Sequence, residues 1–155
     1  MTLETVGAGA ADCRREVLLT GLSSDAHTWN LAYLELLLEE LGCRVTNLGA
    51  CVPDAEIIEA CRTRRPDLVV ISSLNGHGRQ DGLRLISALR ADPALAELPV
   101  VIGGKLDVAG GGPHTAAGLL AAGFDAVFED GAGLTRFSSF VGALAPRPAA
   151  PLAVA

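Results

Sequence analysis

Short apolar runs alternate along this chain with longer segments in which leucine, isoleucine and alanine recur at helical spacing. This alternation limits the fold more than any other feature of the sequence. The short runs predict strands over residues 16–20, 44–48, 68–71, 99–102 and 126–128. The longer segments predict helices over residues 30–41, 53–64, 81–91, 115–122 and 134–144. Strands that are apolar on both faces and separated by helices are typical of a parallel sheet covered on both sides.

Because crossovers between parallel strands are right-handed, the pattern predicts a doubly wound α/β fold of the flavodoxin-like (Rossmann-like) type. The common strand order for five strands is 2-1-3-4-5. With 155 residues the chain is expected to form a single domain. We expect that domain to span residues 15–145. Residues 1–14, rich in glycine and alanine, are expected to form a flexible extension, and residues 146–155 a disordered Pro/Ala tail.

Charge and hydropathy exclude several classes of partner. Twelve basic residues against eighteen acidic ones give a net charge of −6, which is the wrong sign for binding nucleic acid. No apolar run approaches the roughly 20 residues that cross a bilayer, and the first residues do not resemble a signal peptide. We therefore expect a cytoplasmic protein without membrane contact. The cysteines at 13, 43, 51 and 61 lack Cys-x-x-Cys spacing, which favours buried intracellular thiols over zinc or disulfides.

In a doubly wound sheet, ligands bind beyond the carboxyl ends of the strands, near the switch between strands one and three. The loops that follow strands one, three and four are polar or glycine-rich, and the chain's three histidines lie in or just after them. The sequence lacks the dinucleotide fingerprint, the phosphate-binding P-loop and the nucleophile elbow. It also lacks the acidic residue with which a phospho-receiver domain ends strand three, since Ile71 and Ser72 stand there.

Asp25 and His27, after strand one, form the motif with the clearest chemistry. An aspartate two residues before a histidine can accept the Nδ1 proton and direct Nε2 outward as a metal ligand. One histidine is too little for a bare ion, but it suits an axial position on a metal held by a macrocycle. Gly103 and Gly104 allow a bulky group to lie against the backbone, and Ser72 offers a hydroxyl to the same crevice.

These motifs resemble those of the cobalamin-binding domains of B12-dependent mutases and methyltransferases, which read Asp-x-His-x-x-Gly, Ser-x-Leu and Gly-Gly. Here the corresponding residues are Asp25-Ala26-His27-Thr28-Trp29-Asn30, Ser72-Ser73-Leu74 and Gly103-Gly104. The resemblance extends over residues 15–140 and is strongest to the small (sigma) subunits of glutamate mutase, also called methylaspartate mutase. Asn30 departs from the family glycine. Asparagine tolerates left-handed backbone and can cap a helix, so we expect binding to survive the change.

The resemblance implies adenosylcobalamin as the cofactor, with its dimethylbenzimidazole tail displaced from cobalt and threaded between strands one and three. By the same resemblance His27 is the lower axial ligand of cobalt, and Asp25 orients its ring. Ser72 would hydrogen-bond the benzimidazole, and Leu74 would line its slot. The other residues implied to contact the cofactor are Ser24, Ala26, Thr28, Ser73, Gly103, Gly104, Lys105, Leu106 and Asp107.

The function implied is the cobalamin-carrying subunit of an isomerase that interconverts L-glutamate and threo-3-methylaspartate. A larger catalytic subunit, two copies of each forming the enzyme, would supply the substrate pocket, and this chain alone would be inactive. One alternative is a corrinoid protein for methyl transfer. In those proteins a helical cap precedes the domain, and because only about 15 residues precede strand one, we expect no such cap here. The others are a B12-binding sensor or carrier module, and a flavodoxin-like domain that binds no cobalamin.

Overall fold

A computed structural model of the chain describes residues 14–109, 113–129 and 133–144, and in these segments strands and helices alternate strictly. The strands are β1 Glu16–Thr20, β2 Arg44–Asn47, β3 Leu68–Ser73, β4 Val100–Gly104 and β5 Ala126–Phe128. The helices are α1 Trp29–Glu40, α2 Asp54–Arg64, α3 Gly78–Ala91, α4 Pro113–Ala122 and α5 Gly133–Ala143. The sheet is parallel with order β2-β1-β3-β4-β5, which confirms the predicted fold. The predicted extension (apart from residue 14) and tail lie outside the described residues.

Two strands are longer than predicted, and this changes the setting of two motifs. Ser72 pairs with Gly103 and Ser73 pairs with Gly104 in the parallel ladder between β3 and β4. Both motifs therefore occupy the last positions of central strands rather than the loops that follow them. Their backbones are fixed by the sheet before any ligand binds.

The strands send alternate side chains to two separate apolar cores. In β3, Val69 and Ile71 pack with residues of α2, α3 and α4 on what we call the closed face. Leu68 and Val70 pack with α1 and α5 on what we call the open face. Because side chains alternate along a strand, Ser72 continues the open-face row of β3 and Ser73 the closed-face row.

Three cysteines fall within the described residues, and none of them forms a disulfide. Cys43 and Cys61 are buried as expected, but the expectation is wrong for Cys51, which is exposed in the loop between β2 and α2. Burial raises the pKa of the Cys61 thiol to about 11, so this thiol stays protonated at neutral pH. Over the same residues there is no helix long and apolar enough to cross a membrane.

Candidate functional site

The Asp25–His27 pair is assembled within the loop that joins β1 to α1. Asp25 Oδ1 lies 2.6 Å from His27 Nδ1 and also accepts the His27 backbone N–H at 3.0 Å. The Asp25 side chain is 1% exposed, whereas the His27 side chain is 54% exposed. A carboxylate can only accept, so Nδ1 carries the proton and Nε2 presents its lone pair. Nε2 has no hydrogen-bond partner among the described residues. The predicted geometry of an oriented, outward-facing ligand is therefore present.

The backbone directly after β3 hydrogen-bonds the other oxygen of the Asp25 carboxylate. Asp25 Oδ2 accepts the backbone N–H of Leu74 at 2.6 Å and that of Asn75 at 3.3 Å. Burial by itself would raise the pKa of Asp25, but the hydrogen bonds from His27 and Leu74 outweigh it and hold the pKa below its ordinary value. Asp25 is thus a fixed anion that joins the loop after β1 to the loop after β3.

A polar network anchors this loop to the closed face. Ser24 donates its hydroxyl to Asp81 at the start of α3, and Asn75 Nδ2 donates to the Ser24 carbonyl at 2.9 Å. Arg84 donates to Asp81 at 3.0 Å, to Asp54 at 2.7 Å and to Ser23 Oγ at 3.2 Å. The network connects α2, α3 and the loop after β1. It fixes the backbone that carries His27.

A cavity of about 240 Å³ opens on the open face at the carboxyl ends of β3 and β4. Its floor is formed by the strand residues Val70, Ser72, Val101 and Gly103, and its sides by α1 and α5. The residues that line it from the helices and the end of β5 are Asn30, Tyr33, Leu34, Phe128, Glu129, Gly133, Leu134 and Phe137. Residues of β1 do not line it, so the cavity lies over β3 and β4 and not between strands one and three.

Ser72 and Asn30 meet at the edge of this cavity. Asn30 Nδ2 donates to Ser72 Oγ at 2.7 Å, while Asn30 Oδ1 is buried and has no hydrogen-bond partner within the described segments. Asn30 lies in the first turn of α1, one residue after the helix begins. The N-cap position is occupied by Thr28, whose side chain makes no capping hydrogen bond. The expectation that Asn30 caps the helix is therefore wrong. Its side chain lines the cavity and hydrogen-bonds Ser72 there.

Close packing with neighbouring strands explains both glycines at the end of β4. A Cβ on Gly103 would come within 2.7 Å of the Phe128 carbonyl oxygen. A Cβ on Gly104 would come within 2.2 Å of the Ser73 carbonyl oxygen, and Gly104 has a φ of +108°. Both residues line the cavity, but the sheet itself already excludes side chains at these positions.

The remaining residues implied by the resemblance do not line the cavity. Ala26, Thr28 and Lys105 are exposed. Ser73 and Leu106 are buried on the closed face, where both touch the space that a Cβ on Gly78 would fill. Asp107 accepts the Thr115 hydroxyl at 3.3 Å. Leu74 does not line the cavity, and its backbone N–H binds Asp25 instead.

The wall of the cavity made by α5 and the end of β5 was not predicted from the sequence. Phe128 packs edge-to-face against Phe137 and Phe140, with ring centroids 5.4 and 5.9 Å apart. The available signal was the position of Phe128 and Glu129 at the carboxyl end of a strand, the edge at which ligands bind. His77 and His114 are both exposed, and neither hydrogen-bonds the Asp25–His27 pair.

Residues 15–136 match the B12 binding domain family. The chain belongs to this family. It is 35% identical over 116 residues to "Glutamate mutase sigma subunit 1" of Haloarcula marismortui, covering 74% of this chain and 76% of that protein. It is also 39% identical over 88 residues to the "HTH-type transcriptional repressor CarA" of Myxococcus xanthus, covering 56% of this chain and 30% of that protein. These matches confirm the resemblance inferred from the motifs.

A solved structure supports the fold. The cobalamin-binding protein from Desulfitobacterium hafniense DCB-2 superposes with a TM-score of 0.68 at 20% sequence identity. The superposition covers 83% of this chain and 59% of that one, so the chain spans about three-fifths of its structural relative. At this identity the likeness concerns the architecture alone.

The B12 binding domain has donor atoms that suit a corrinoid. His27 Nε2 is an imidazole nitrogen of the kind that serves as an axial ligand to a macrocyclic metal. The cavity has apolar walls with a few polar atoms, as ligand sites do. Its volume is below the roughly 300–1,000 Å³ of pockets for drug-sized ligands, so it suits one ring system and not a whole corrin.

Proposed function

We propose that this chain is the cobalamin-binding subunit of an adenosylcobalamin-dependent mutase of the glutamate mutase type. The observation that carries the proposal is the Asp25–His27 pair: a buried carboxylate lies 2.6 Å from Nδ1, the His27 side chain is 54% exposed, and its Nε2 has no hydrogen-bond partner among the described residues. Its relatives of similar length are named as sigma subunits of glutamate mutase, which supports the substrate assignment.

In this proposal His27 is the lower ligand of cobalt, and the nucleotide base of the cofactor enters the cavity between α1 and α5. Adenosylcobalamin supplies radical chemistry through its cobalt–carbon bond. The chain's own residues bind and orient the cofactor. Asp25 keeps the proton on Nδ1 and fixes the ring, and Ser72 donates a hydrogen bond to the base.

A larger catalytic subunit completes the enzyme, with two copies of each chain as the expected assembly. The surface next to His27 suits such a partner. Trp29, Tyr33 and Leu36 form an exposed apolar row along α1, and the Trp29 side chain is 87% exposed. Contiguous exposed apolar patches are uncommon on monomeric proteins and often mark sites of protein–protein interaction. We expect this chain alone to bind cofactor but to leave glutamate unchanged.

The test is a spectroscopic titration followed by an activity assay. Added hydroxocobalamin should give the absorption change of a corrinoid whose benzimidazole is replaced by histidine, and His27→Ala should abolish it. His77→Ala is the matched control, because His77 is exposed near the same edge and makes no contact with Asp25. The larger subunit should then be added with adenosylcobalamin and glutamate. A His27→Ala spectrum equal to that of the unchanged protein would refute the proposal.

One alternative function, a B12-binding sensor module, is supported by a separate observation. The likeness to a transcriptional repressor favours a B12-binding sensor module, since a member of the family occurs within a regulatory protein. A sensor would give the same histidine-dependent spectrum but would not form a complex with a mutase catalytic subunit. Size-exclusion chromatography of the mixed subunits distinguishes the two functions.

A further inference from the structure

Asn75, in the loop after β3, uses every hydrogen-bonding position of its side-chain amide. Its Nδ2 donates to the Ser24 carbonyl at 2.9 Å and to the Ser24 hydroxyl oxygen at 3.0 Å. Its Oδ1 accepts the His77 N–H at 2.9 Å and the Ser73 hydroxyl at 3.3 Å. An asparagine amide has two N–H donors and one oxygen with two lone pairs, so these four bonds satisfy it in full. The side chain is therefore held in a single orientation.

The two ends of this amide make different connections. Oδ1 closes a turn within its own loop, by accepting the N–H two residues further on. Nδ2 reaches the loop after β1, 51 positions away in the sequence. The Asn75 backbone N–H also donates to Asp25 Oδ2 at 3.3 Å. Within the described segments, Asn75 is thus the one residue that hydrogen-bonds both Ser24 and Asp25.

The loop that carries Asn75 is itself anchored to the sheet. The Gly76 N–H donates to the Lys105 carbonyl at 3.3 Å, and the Arg79 N–H donates to the Leu106 carbonyl at 2.8 Å. Both acceptors directly follow β4. Because the next strand of the sheet holds this loop, the Nδ2 bonds of Asn75 tie the loop after β1 to a fixed point.

These bonds hold the backbone of Asp25 from one side. The Ser24 carbonyl and the Asp25 N–H belong to one planar peptide unit, so a bond to the carbonyl fixes the plane that precedes Asp25. The following peptide unit is held by Cys51, whose N–H donates to the Asp25 carbonyl at 2.9 Å. The direction of the Asp25 carboxylate, and with it that of the His27 ring, depends on this backbone.

Building on the proposed function, we propose that Asn75 is a positioning residue for His27 as the cobalt ligand. Its Nδ2 holds the peptide between Ser24 and Asp25, Asp25 holds Nδ1 of the imidazole, and Nε2 is kept in one position. Asn75 does not touch the cofactor in this assignment and acts through Ser24 and Asp25. Without these bonds the loop would sample other positions, and the effective concentration of the imidazole at cobalt would fall.

The test measures the lower ligation of bound adenosylcobalamin, the cobamide (a corrinoid with a nucleotide tail) of the proposed function. Its upper carbon ligand weakens the bond to the lower ligand, so a partial loss of ligation is visible in the absorption spectrum. Asn75→Ala should lower the ratio of ligated to unligated cofactor at saturation about two- to tenfold, which corresponds to one hydrogen bond of ordinary net strength. A ratio equal to that of the unchanged protein would overturn the proposal.

Asn75→Ser separates the bond to Ser24 from the turn. A serine oxygen can still accept the His77 N–H, but the shorter side chain cannot reach Ser24. This variant should therefore lose as much ligation as Asn75→Ala. Full ligation in Asn75→Ser would show that the turn matters and the connection to Ser24 does not.

Asn47→Ala is the matched control. Asn47 closes the same kind of turn, since its Oδ1 accepts the Gly49 N–H at 2.9 Å, and its Nδ2 donates to Glu35 at 3.1 Å. In the described part of the chain its side chain makes no hydrogen bond to the loop that carries His27. It should leave the ligation ratio unchanged, and a fall equal to that in Asn75→Ala would contradict the assignment.

Hydrogen exchange of the protein without cofactor gives a second readout. The backbone amides of residues 23–28 should exchange severalfold faster in both Asn75 variants, while those of β3 should keep their rates. Faster exchange throughout the sheet would mean a general loss of stability. Faster exchange in the loop with an unchanged ligation ratio would mean that the loop does not position the ligand. Either result would overturn the proposal.

The outcomes separate this inference from the proposed function. If the unchanged protein shows no ligation that depends on His27, the proposed function has failed, and the assignment of Asn75 fails with it. If ligation depends on His27 and is the same in the Asn75 variants, the function stands and the positioning role is refuted.

Discussion

The two faces of the sheet use the same five strands but are packed in opposite ways. On the closed face, α3 lies directly on the strands. A Cβ on Gly78 would come within 2.8 Å of Leu106, and one on Gly82 within 2.9 Å of Ile102. On the open face, α1 and α5 leave a cavity of about 240 Å³ above Val70 and Val101. At the carboxyl ends of β3 and β4, the closed face is therefore filled to contact and the open face is left open.

The difference shows how one small domain can separate stability from binding. The loop that carries His27 is held by the closed face, through Ser24, Asp81 and Arg84. The cavity belongs to the open face, where Ser72 and Asn30 meet. A ligand entering the cavity would therefore contact α1 and α5, while the loop that carries His27 is held by the closed face. Changes on the two faces should have separable effects.

Gly104→Ala should have the largest effect on stability. The added Cβ would lie 2.2 Å from the Ser73 carbonyl oxygen, and a φ of +108° is unfavourable for alanine. We expect the free energy of unfolding to fall by about 3 kcal/mol or more, from strain and overpacking together. Urea unfolding followed by circular dichroism measures this loss.

Gly118→Ala is the matched control for that substitution. Gly118 lies inside α4, and a Cβ there would have no neighbour within 4 Å. Alanine is the better helix former, so this variant should gain about 0.5–1 kcal/mol. If Gly104→Ala and Gly118→Ala changed the free energy of unfolding equally, the close contact between Gly104 and the Ser73 carbonyl would not explain the requirement for glycine at the end of β4.

Asp25→Asn should have the next largest effect, and the effect should depend on pH. The variant weakens the bonds from the Leu74 N–H and the His27 ring, so we expect it to lose about 1–3 kcal/mol at neutral pH. The folded pKa of Asp25 lies below its ordinary value. The stabilisation is therefore complete above the unfolded pKa of about 3.9 and is lost as the pH falls through the lower folded value.

Unfolding free energies of the two proteins at pH 7 and near pH 3 measure this dependence. The difference between them should be larger at pH 7. Glu39→Gln, which removes an exposed carboxylate of α1, should show little difference at either pH. A gap between Asp25→Asn and the unchanged protein that widens on acidification would contradict the role of Asp25 as a buried anion.

Adjacent residues of β3 test the packing of the two faces directly. Val69 is in the closed-face core, whereas Val70 lines the cavity. Val69→Leu adds a methylene to a filled core and should cost about 1–3 kcal/mol. Val70→Leu has space to occupy and should cost less than about 1 kcal/mol, while weakening cobamide binding. Equal losses of stability in the two variants would mean that the cavity does not accommodate the larger side chain at position 70.

The sequence predicted the order of elements because strand and helix periodicity is local, and each element here has a clear pattern. The Asp25–His27 contact was also predictable, since it joins residues two apart in one loop. The bond from Leu74 to Asp25 was not predicted, because it links residues 49 positions apart. Local patterns do not reveal which backbone donor reaches a carboxylate across two strands.

Side-chain direction was the harder part of the site. Ser72 and Ser73 were both assigned to the cofactor, but strand alternation sends them to opposite faces. Leu106 was assigned there too, yet it packs in the closed-face core. The predicted strands β3 and β4 each ended two residues too early, which hid this alternation. Asn30 was recognised as a departure, but its bond to Ser72 required the position of α1 above the sheet.

Arg84→Met should give the smallest change in stability and a measurable change at the site. The hydrogen bonds to Asp54 and Asp81 raise the pKa of Arg84, yet its side chain is 52% exposed and screened by water. We expect a loss of stability below about 1 kcal/mol, decreasing with added salt. Because Arg84 also binds Ser23, the loop before His27 should loosen, and cobamide affinity should fall by up to about fivefold.

Arg62→Met isolates that effect on the loop. Arg62 is equally exposed and bonds Asp92 at 2.7 Å, but it has no contact with the loop after β1. It should leave cobamide affinity unchanged. If both arginine variants lowered affinity alike, the loss would reflect a general weakening of the fold. A loss confined to Arg84→Met would show that the polar network around Arg84 positions the loop that carries His27.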